Sequence, residues 1–403
     1  MSLCDCHGCQ LVCVALVYSE TMSATATSSL VPRLLQYARE KVASAQPAIL
    51  SNLARVTQLP LIIDVALPGA AYFSVAAGGL CDVLYLLGEE VVKVDRFVGA
   101  SGGACSLFLI LANDKRAPSD QHAAPAGRCP SADLLLESYL EYAKLEGSSG
   151  VQRSLSAFWQ ALAGVSSFWE DKYRALLTNE AAWAAVRSRG FCAIASRPIR
   201  QQIFGSAPSD AVYHAVGDNY ILHNFSEKEE AVQAFVATGE ATAKGFTKGI
   251  AILGSDRSFA VVGPQAGRPS QLRSLPASFC DGGRPANFDA LHDHASPNAF
   301  LYYNTWFENA SEAAFCTPES IEHLYKRGVD RTIDCLLSES FASPTPGTLN
   351  TVAGKAAKDS IVLALAGADL AQEIGKINAK SPLYGGSFVN LAGSEIREQP
   401  SFA

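Results

Sequence analysis

The sequence has no long run of basic residues and no uninterrupted apolar stretch long enough to cross a membrane. Its 403 residues include 32 Lys and Arg against 39 Asp and Glu, a formal net charge of −7. This balance argues against a nucleic-acid-binding protein and against a uniformly basic membrane-binding face. A membrane-spanning helix needs about 20 apolar residues, and the closest candidate, Leu59 to Leu80, contains Asp64 and two prolines. We therefore expect a soluble cytoplasmic protein, or one that attaches to membranes only peripherally.

Cysteine is plentiful, with 11 residues, but a chain of this length does not need disulfide bonds for its stability. We expect seven of the cysteines, which are scattered through apolar or ordinary segments, to be buried free thiols in a reducing compartment. They are Cys81, Cys105, Cys129, Cys192, Cys280, Cys316 and Cys335. The sequence shows no acidic calcium-binding loop, and we predict a protein without a cofactor.

The other four cysteines crowd the N-terminus beside His7. Their spacing lacks the paired loops of a zinc module, which leaves a small metal site, an S-acylated tail and an unstructured leader open. Met22 offers a second start downstream of such a leader. The apolar run Leu11 to Val17 follows no Lys or Arg and therefore supports a secretory signal only weakly. The four residues are Cys4, Cys6, Cys9 and Cys13.

Strand and helix patterns alternate through the middle of the chain, which predicts a layered α/β fold. We expect a leader with two short helices interrupted at Pro47 (1–58), a core domain (59–290), a helical extension (291–345) and a helical tail (346–403). In the core domain, the apolar runs Tyr72 to Ala77 and Val94 to Val98 are typical of buried strands. In the tail, Ala353 to Lys380 is predicted to form one or two helices.

The second of these strands runs into the sequence G-A-S-G-G, which is followed at once by an apolar helix. A serine between glycines at a strand-to-helix turn is the nucleophile elbow pattern, G-x-S-x-G. Gly99 and Gly103 leave room beside the serine, because Cβ atoms there would clash with the neighbouring strand and helix. Ser101 is therefore the candidate nucleophile.

Two other glycine turns fit the same chemistry. Gly78-Gly79 lies at the predicted junction of a strand and a helix, where backbone N–H groups can form an oxyanion hole. A simple strand–helix turn is the alternative. Much later, Gly282 and Gly283 let their loop pass close to another backbone, so that Asp281 becomes the candidate general base. A type I′ turn is the alternative there.

In this order, the Gly-Gly turn, the G-x-S-x-G motif and the later D-G-G resemble the patatin-like phospholipases, over roughly Tyr72 to Asp289. Phe315 to Leu337 is similar to the helix that follows the core in adiponutrin-type members. The resemblance implies a three-layer α/β/α sandwich with extra helices at both ends. It also implies a Ser–Asp dyad, Ser101 and Asp281, that transfers acyl groups from lipid esters without histidine.

For the oxyanion hole, the resemblance implies backbone N–H groups around the glycine pair, in Ala77, Gly78, Gly79 and Leu80. The implied partner is a lipid ester, met at a membrane or lipid-droplet surface, with no nucleic acid and no metal. The family's loop usually reads G-G-G-x-R-G, whereas the aligned residues here read A-G-G-L-C-D. Its last residue, Asp82, would oppose charge development near an oxyanion hole. Ala237 to Ala243 also stands where many members carry a proline-ended A-S-x-x-x-P.

These departures motivate a second hypothesis, a degenerate patatin-like scaffold that binds lipid or a partner without turnover. A third is a true α/β hydrolase, in which a histidine and an acid complete a triad with Ser101. The sequence places His292 and His294 in a suitable late region, beside Asp289 and Asp293. The alternative for this short stretch is a solvated helix end or loop.

Overall fold

The computed structural model describes the elements of the chain in separate stretches. It covers residues 29–67, 74–114, 126–148, 168–197, 219–223, 225, 227–239, 250–251, 260–261, 278–281, 297–305, 316–338, 349–353 and 359–364. The helices are α1 (Leu30–Val56), α2 (Ala76–Leu87), α3 (Gly102–Ala112), α4 (Asp133–Ser148), α5 (Glu180–Arg189), α6 (Lys228–Gly239) and α7 (Pro318–Leu337). Residues 168–176 are also helical.

The strands of these stretches belong to one mixed sheet. They are β1 (Leu61–Leu67), β2 (Val92–Ala100), β3 (Gly190–Arg197), β4 (Asn219–Leu222), β5 (Ile250–Ala251), β6 (Ala260–Val261), β7 (Ser278–Asp281), β8 (Ala299–Thr305), β9 (Leu349–Ala353) and β10 (Asp359–Ala364). Its centre is parallel, in the order β3-β2-β1-β8. Antiparallel strands extend it, with β10 and β9 beyond β8, and with β4 and β7 against β3. The predicted α/β class is confirmed.

β1 and β2 lie at the centre because their sequences can be buried on both faces. The sequence of β1 is L-I-I-D-V-A-L, and six of its seven residues are buried, with Ile62 the exception. Near-continuous apolar runs of this kind are typical of parallel strands in α/β proteins. Leu67 pairs with Gly99, so the two strands end side by side, and the chain leaves both at the same end of the sheet.

α1 corrects the prediction of two short helices interrupted at Pro47. A single helix runs from Leu30 to Val56 with Pro47 inside it. An internal proline costs about 3 kcal/mol or more. This helix nevertheless buries a continuous apolar stripe, which offsets that cost. The stripe consists of Leu34, Ala38, Val42, Ile49 and Leu53.

The C-terminal tail also differs from the prediction. Where helices were expected over Ala353–Lys380, β9 ends at Ala353, and Asp359–Ala364 forms β10. A short apolar run such as I-V-L-A fits a buried helix or a strand equally well, and here pairing with β8 selects the strand. β8 follows residue 290, yet it pairs directly with β1. The sheet therefore takes strands from both sides of the boundary predicted at 290, and the region 291–345 is not wholly helical.

Two further sequence expectations concern buried thiols and membrane spans. Six cysteines are free and buried, as predicted: Cys81, Cys105, Cys129, Cys192, Cys316 and Cys335. Among the helices of the described stretches, none is both long and apolar enough to cross a membrane.

α2 and α7 are packed so closely that two glycines are required between them. A Cβ atom at Gly79 would lie 2.2 Å from the Tyr325 carbonyl oxygen and 2.6 Å from the Val329 nitrogen. A Cβ at Gly328 would lie 1.9 Å from the carbonyl oxygen of Ala76. Both neighbours are backbone atoms, which cannot move aside cheaply. Gly79 is therefore required by helix packing.

The adjacent glycines of α2 give a matched pair of variants. Gly78→Ala meets only side-chain atoms, at 3.2 Å, and gains helix propensity, so we expect it to lie within about 1 kcal/mol of wild type. Gly79→Ala gains the same propensity but collides with α7, and we expect it to lose about 1–3 kcal/mol. Free energies of unfolding from urea denaturation compare the two. Equal stability of the two variants would contradict the close contact between α2 and α7.

Candidate active site

Ser101 occupies a sharp turn between β2 and α3. Its backbone has φ 51° and ψ −131°, and Ser101 is the one non-glycine residue with positive φ among the described residues. This region of backbone space is nearly exclusive to glycine, and a residue held there costs about 1–3 kcal/mol. A strained serine between a strand and a helix is the conformation of a nucleophile elbow. The sequence predicted this turn at this residue.

Gly99 has the steric role that the motif predicts. A Cβ atom there would lie 2.6 Å from the Cα and 2.7 Å from the nitrogen of Ala104, in the first turn of α3. Strand and helix can therefore cross at this angle only when residue 99 has no side chain. Gly103 is buried within the same turn of α3.

Both peptide groups of Ser101 are hydrogen-bonded. Its carbonyl oxygen accepts the Cys105 N–H at 3.1 Å, which is the first bond of α3. Its own N–H donates to Oγ1 of Thr238 at 2.9 Å. Thr238 lies on α6 and is completely buried. In the sequence, Ala237 to Ala243 was noted only as a departure from the family's motif, and Thr238 was not linked to Ser101, which lies 137 residues away.

Asp281 reaches the same place through the register of the sheet. Cys192 and Ala193 of β3 pair with both β2 and β4, whereas Ile194 pairs with both β4 and β7. A strand has two edges, and β4 pairs along one edge of β3. β2 and β7 must therefore both pair along the other edge, one after the other.

Along that edge, Ala100 pairs with Ala193, and Asp281 pairs with the next residue, Ile194. One residue of a strand advances about 3.3 Å. The backbone of Asp281 therefore lies about one residue step beyond the point where β2 ends and turns into Ser101. The structure brings the two predicted dyad positions together. Gly282, Gly283, Asp289, His292, Asp293 and His294 lie outside the described residues.

The predicted oxyanion residues lie at the beginning of α2. The expected strand Tyr72–Ala77 is wrong at its described end, because Ser74 and Val75 form a turn and Ala76 begins the helix. The strand before α2 is β1, which ends at Leu67, and residues 68–73 lie outside the described residues.

The four predicted donors are not equivalent in this helix. Ala77 and Gly78 lie in the first turn, whose N–H groups lack intrahelical acceptors. Gly79 and Leu80 come later, and their N–H groups point to the carbonyls four residues back. The start of α2 is held beside α3, since Ser106 donates to the Ser74 carbonyl oxygen at 3.0 Å. Ala77 and Gly78 are thus the better candidates of the four.

Asp82, which could have opposed an oxyanion, is used in packing. It is 2% exposed, and its two oxygens accept the Ala132 N–H at 2.9 Å and the Tyr325 hydroxyl at 2.5 Å. Burial raises the pKa of Asp82 to about 6, against the lowering effect of these two hydrogen bonds. The carboxyl group lies on the face of α2 that meets α7 and the start of α4, and it serves to join them.

The raised pKa of Asp82 makes stability depend on pH. The folded state binds this proton more tightly than the unfolded state, whose pKa is about 4. Stability from this group is therefore fully present below pH 4 and falls as pH rises through 6, by about 3 kcal/mol in all. Asp82→Asn removes this loss. We expect its free energy of unfolding, relative to wild type, to rise between pH 4 and pH 8 in urea titrations.

A matched control separates this effect from a general loss of negative charge. Asp171 is an exposed carboxylate, and Asp171→Asn makes the same chemical change at the surface. If the Asp82→Asn and Asp171→Asn variants track each other across this pH range, burial of Asp82 is not the cause.

Comparison with known proteins adds no family to these observations. The chain matches no protein-family model, no curated protein and no solved structure. Function is therefore inferred from the geometry of the elbow at Ser101, its bond to Thr238 and the register that brings the backbone of Asp281 close to it.

Proposed function

We propose that the protein is a serine ester hydrolase that acts on lipid carboxylic esters through a Ser101–Asp281 dyad. The observation that carries this proposal is the backbone of Ser101, with φ 51° and ψ −131° at a strand-to-helix turn. Strain of this kind persists only where the surroundings enforce it, and it concentrates at functional sites. A serine with a merely structural role at a helix N-terminus has no need of it.

The base follows from the register of β7. Asp281 pairs with the residue of β3 next to the partner of Ala100, so its backbone lies about one residue step from the elbow, and this proximity supports its role as the base. In the proposed reaction, Asp281 takes the proton of the Ser101 hydroxyl as its oxygen attacks the ester carbonyl. The alcohol leaves, and water activated by the same carboxylate then releases the acyl group from Ser101.

The negative charge of the tetrahedral intermediate needs preorganised donors. The N–H groups of Ala77 and Gly78, at the start of α2, are proposed for this role. The N–H of Gly102 is a third candidate, because the residue after the nucleophile commonly supplies one donor in elbow enzymes. The positive ends of α2 and α3 would reinforce the same effect.

The lipid substrate and the finer fold are inferred from the resemblance to patatin-like phospholipases. We propose a three-layer α/β/α sandwich, supported by the burial of both faces of β1 and of the last four residues of β2. The substrate class is a phospholipid or acylglycerol ester, taken from a membrane or lipid-droplet surface.

Fluorophosphonate labelling tests the nucleophile. We expect one adduct on Ser101 of the folded wild type, together with hydrolysis of a p-nitrophenyl acyl ester. Ser101→Ala should lose the adduct and at least about 10³-fold in kcat/KM. Ser188→Ala is a matched control, because Ser188 lies on α5 and its hydroxyl donates to the Ala184 and Ala185 carbonyls of its own helix.

The results of this test separate three functions. Wild-type turnover that survives in Ser101→Ala would overturn the nucleophile assignment. A folded wild type with neither label nor turnover would instead favour a degenerate scaffold that binds lipid without hydrolysis.

A second set of variants tests the base. In the dyad, Asp281→Asn removes the general base and should lower kcat by about 10²–10⁴-fold, whereas the His292→Ala/His294→Ala double variant should retain wild-type kcat. The measurement is steady-state hydrolysis of the same ester. Near-complete loss in the double variant would favour a Ser–His–Asp triad over the dyad.

A further inference from the structure

We propose that Thr238 is a positioning residue for the nucleophile, and that its hydroxyl holds Ser101 in the strained elbow conformation. This inference rests on the proposed function. Thr238 lies on α6 and its Oγ1 accepts the Ser101 N–H at 2.9 Å.

The need for such a bond follows from the geometry of the turn. Ser101 has φ 51°, a conformation that persists only where the surroundings enforce it. The bond from Cys105 secures only the carbonyl of Ser101. Without an acceptor for the N–H, the residue would gain by relaxing to an ordinary backbone conformation. Thr238 supplies that acceptor from a different element.

Thr238 is itself firmly placed. It is completely buried, and it hydrogen-bonds with Cys192, whose thiol donates to the Ala234 carbonyl at 3.2 Å. Cys192 lies on β3 and pairs with Gly99, two residues before Ser101. The series of hydrogen bonds from Ser101 through Thr238 and Cys192 to Ala234 thus links the elbow to α6. Such a series strengthens each of its bonds.

α6 also packs against both elements that carry the dyad. It contacts α3, which begins after Ser101, and β7, which ends at Asp281. A hydroxyl on this helix can therefore set the direction of the Ser101 side chain relative to Asp281. An error of about 1 Å in such a setting can cost about 10²-fold in rate.

Two substitutions at Thr238 separate the hydroxyl from the shape of the side chain. Thr238→Val keeps the shape and removes the acceptor, whereas Thr238→Ser keeps the acceptor. The measurement is the time course of fluorophosphonate labelling, which reports both a rate constant and the fraction of molecules labelled. We expect Thr238→Val to lower the rate constant and kcat by about 10- to 100-fold, with full labelling and unchanged KM. For Thr238→Ser, which keeps the acceptor and so displaces Ser101 little, we expect a labelling rate constant and kcat within about threefold of wild type.

Thr332→Val is the matched control. Thr332 is a buried threonine on α7 whose hydroxyl donates to the Gly328 carbonyl of the same helix, and we expect its labelling rate to be unchanged. An unchanged rate constant in Thr238→Val would overturn the proposal. A reduced labelled fraction with a normal rate constant would also overturn it. That result would mean that some molecules are unfolded while Ser101 is correctly placed in the rest.

Amide hydrogen exchange of the wild type covers the case in which Thr238→Val does not fold. Electron-transfer fragmentation gives exchange at single residues, and the Ser101 N–H should be protected although it lies in a turn. Rapid exchange there would overturn the proposal. Failure of the proposed function looks different, since the wild type would then carry no label on Ser101, whatever the state of Thr238.

Discussion

The parallel pairing of β1 with β2 is the constraint on which the candidate site depends. Leu67 pairs with Gly99, so both strands release the chain at the same end of the sheet. The turn at Ser101 and the start of α2 must then emerge next to each other, and the bond from Ser106 to the Ser74 carbonyl holds them there. Strand pairing thus decides which backbone N–H groups can lie near the serine.

The C-terminal part of the chain completes this arrangement. α7 presses against α2 so closely that Gly79 and Gly328 are both needed, and Tyr325 hydrogen-bonds Asp82 across the same contact. β8, next to β1, comes from the same late region. A cut at the predicted boundary near residue 290 would remove both the neighbour of β1 and the support of α2.

The sequence predicted well those features whose parts are neighbours in the chain. The strand, the glycines and the apolar helix around Ser101 lie within about twenty residues, and the steric demand for Gly99 is local. Proline disfavours a helix interior, which is why an interruption was predicted at Pro47. In α1, burial of a long apolar stripe outweighs this local cost, and the helix continues through Pro47. The strand at Asp359–Ala364 was missed because its residues fit two structures until a partner is present.

The sequence alone determined that a strained serine turn would form at Ser101, because strand, glycines and helix impose it locally. Only the tertiary structure decided which residues surround it. Thr238 and Asp281 reach the turn through the packing of α6 and the register of β3, and neither distance along the chain nor residue type encodes these contacts. The same holds for Gly79 and Asp82, because the residue type does not identify the segment that packs against it. Hydrogen bonds and backbone contacts between remote segments exist only once the sheet and helices have packed.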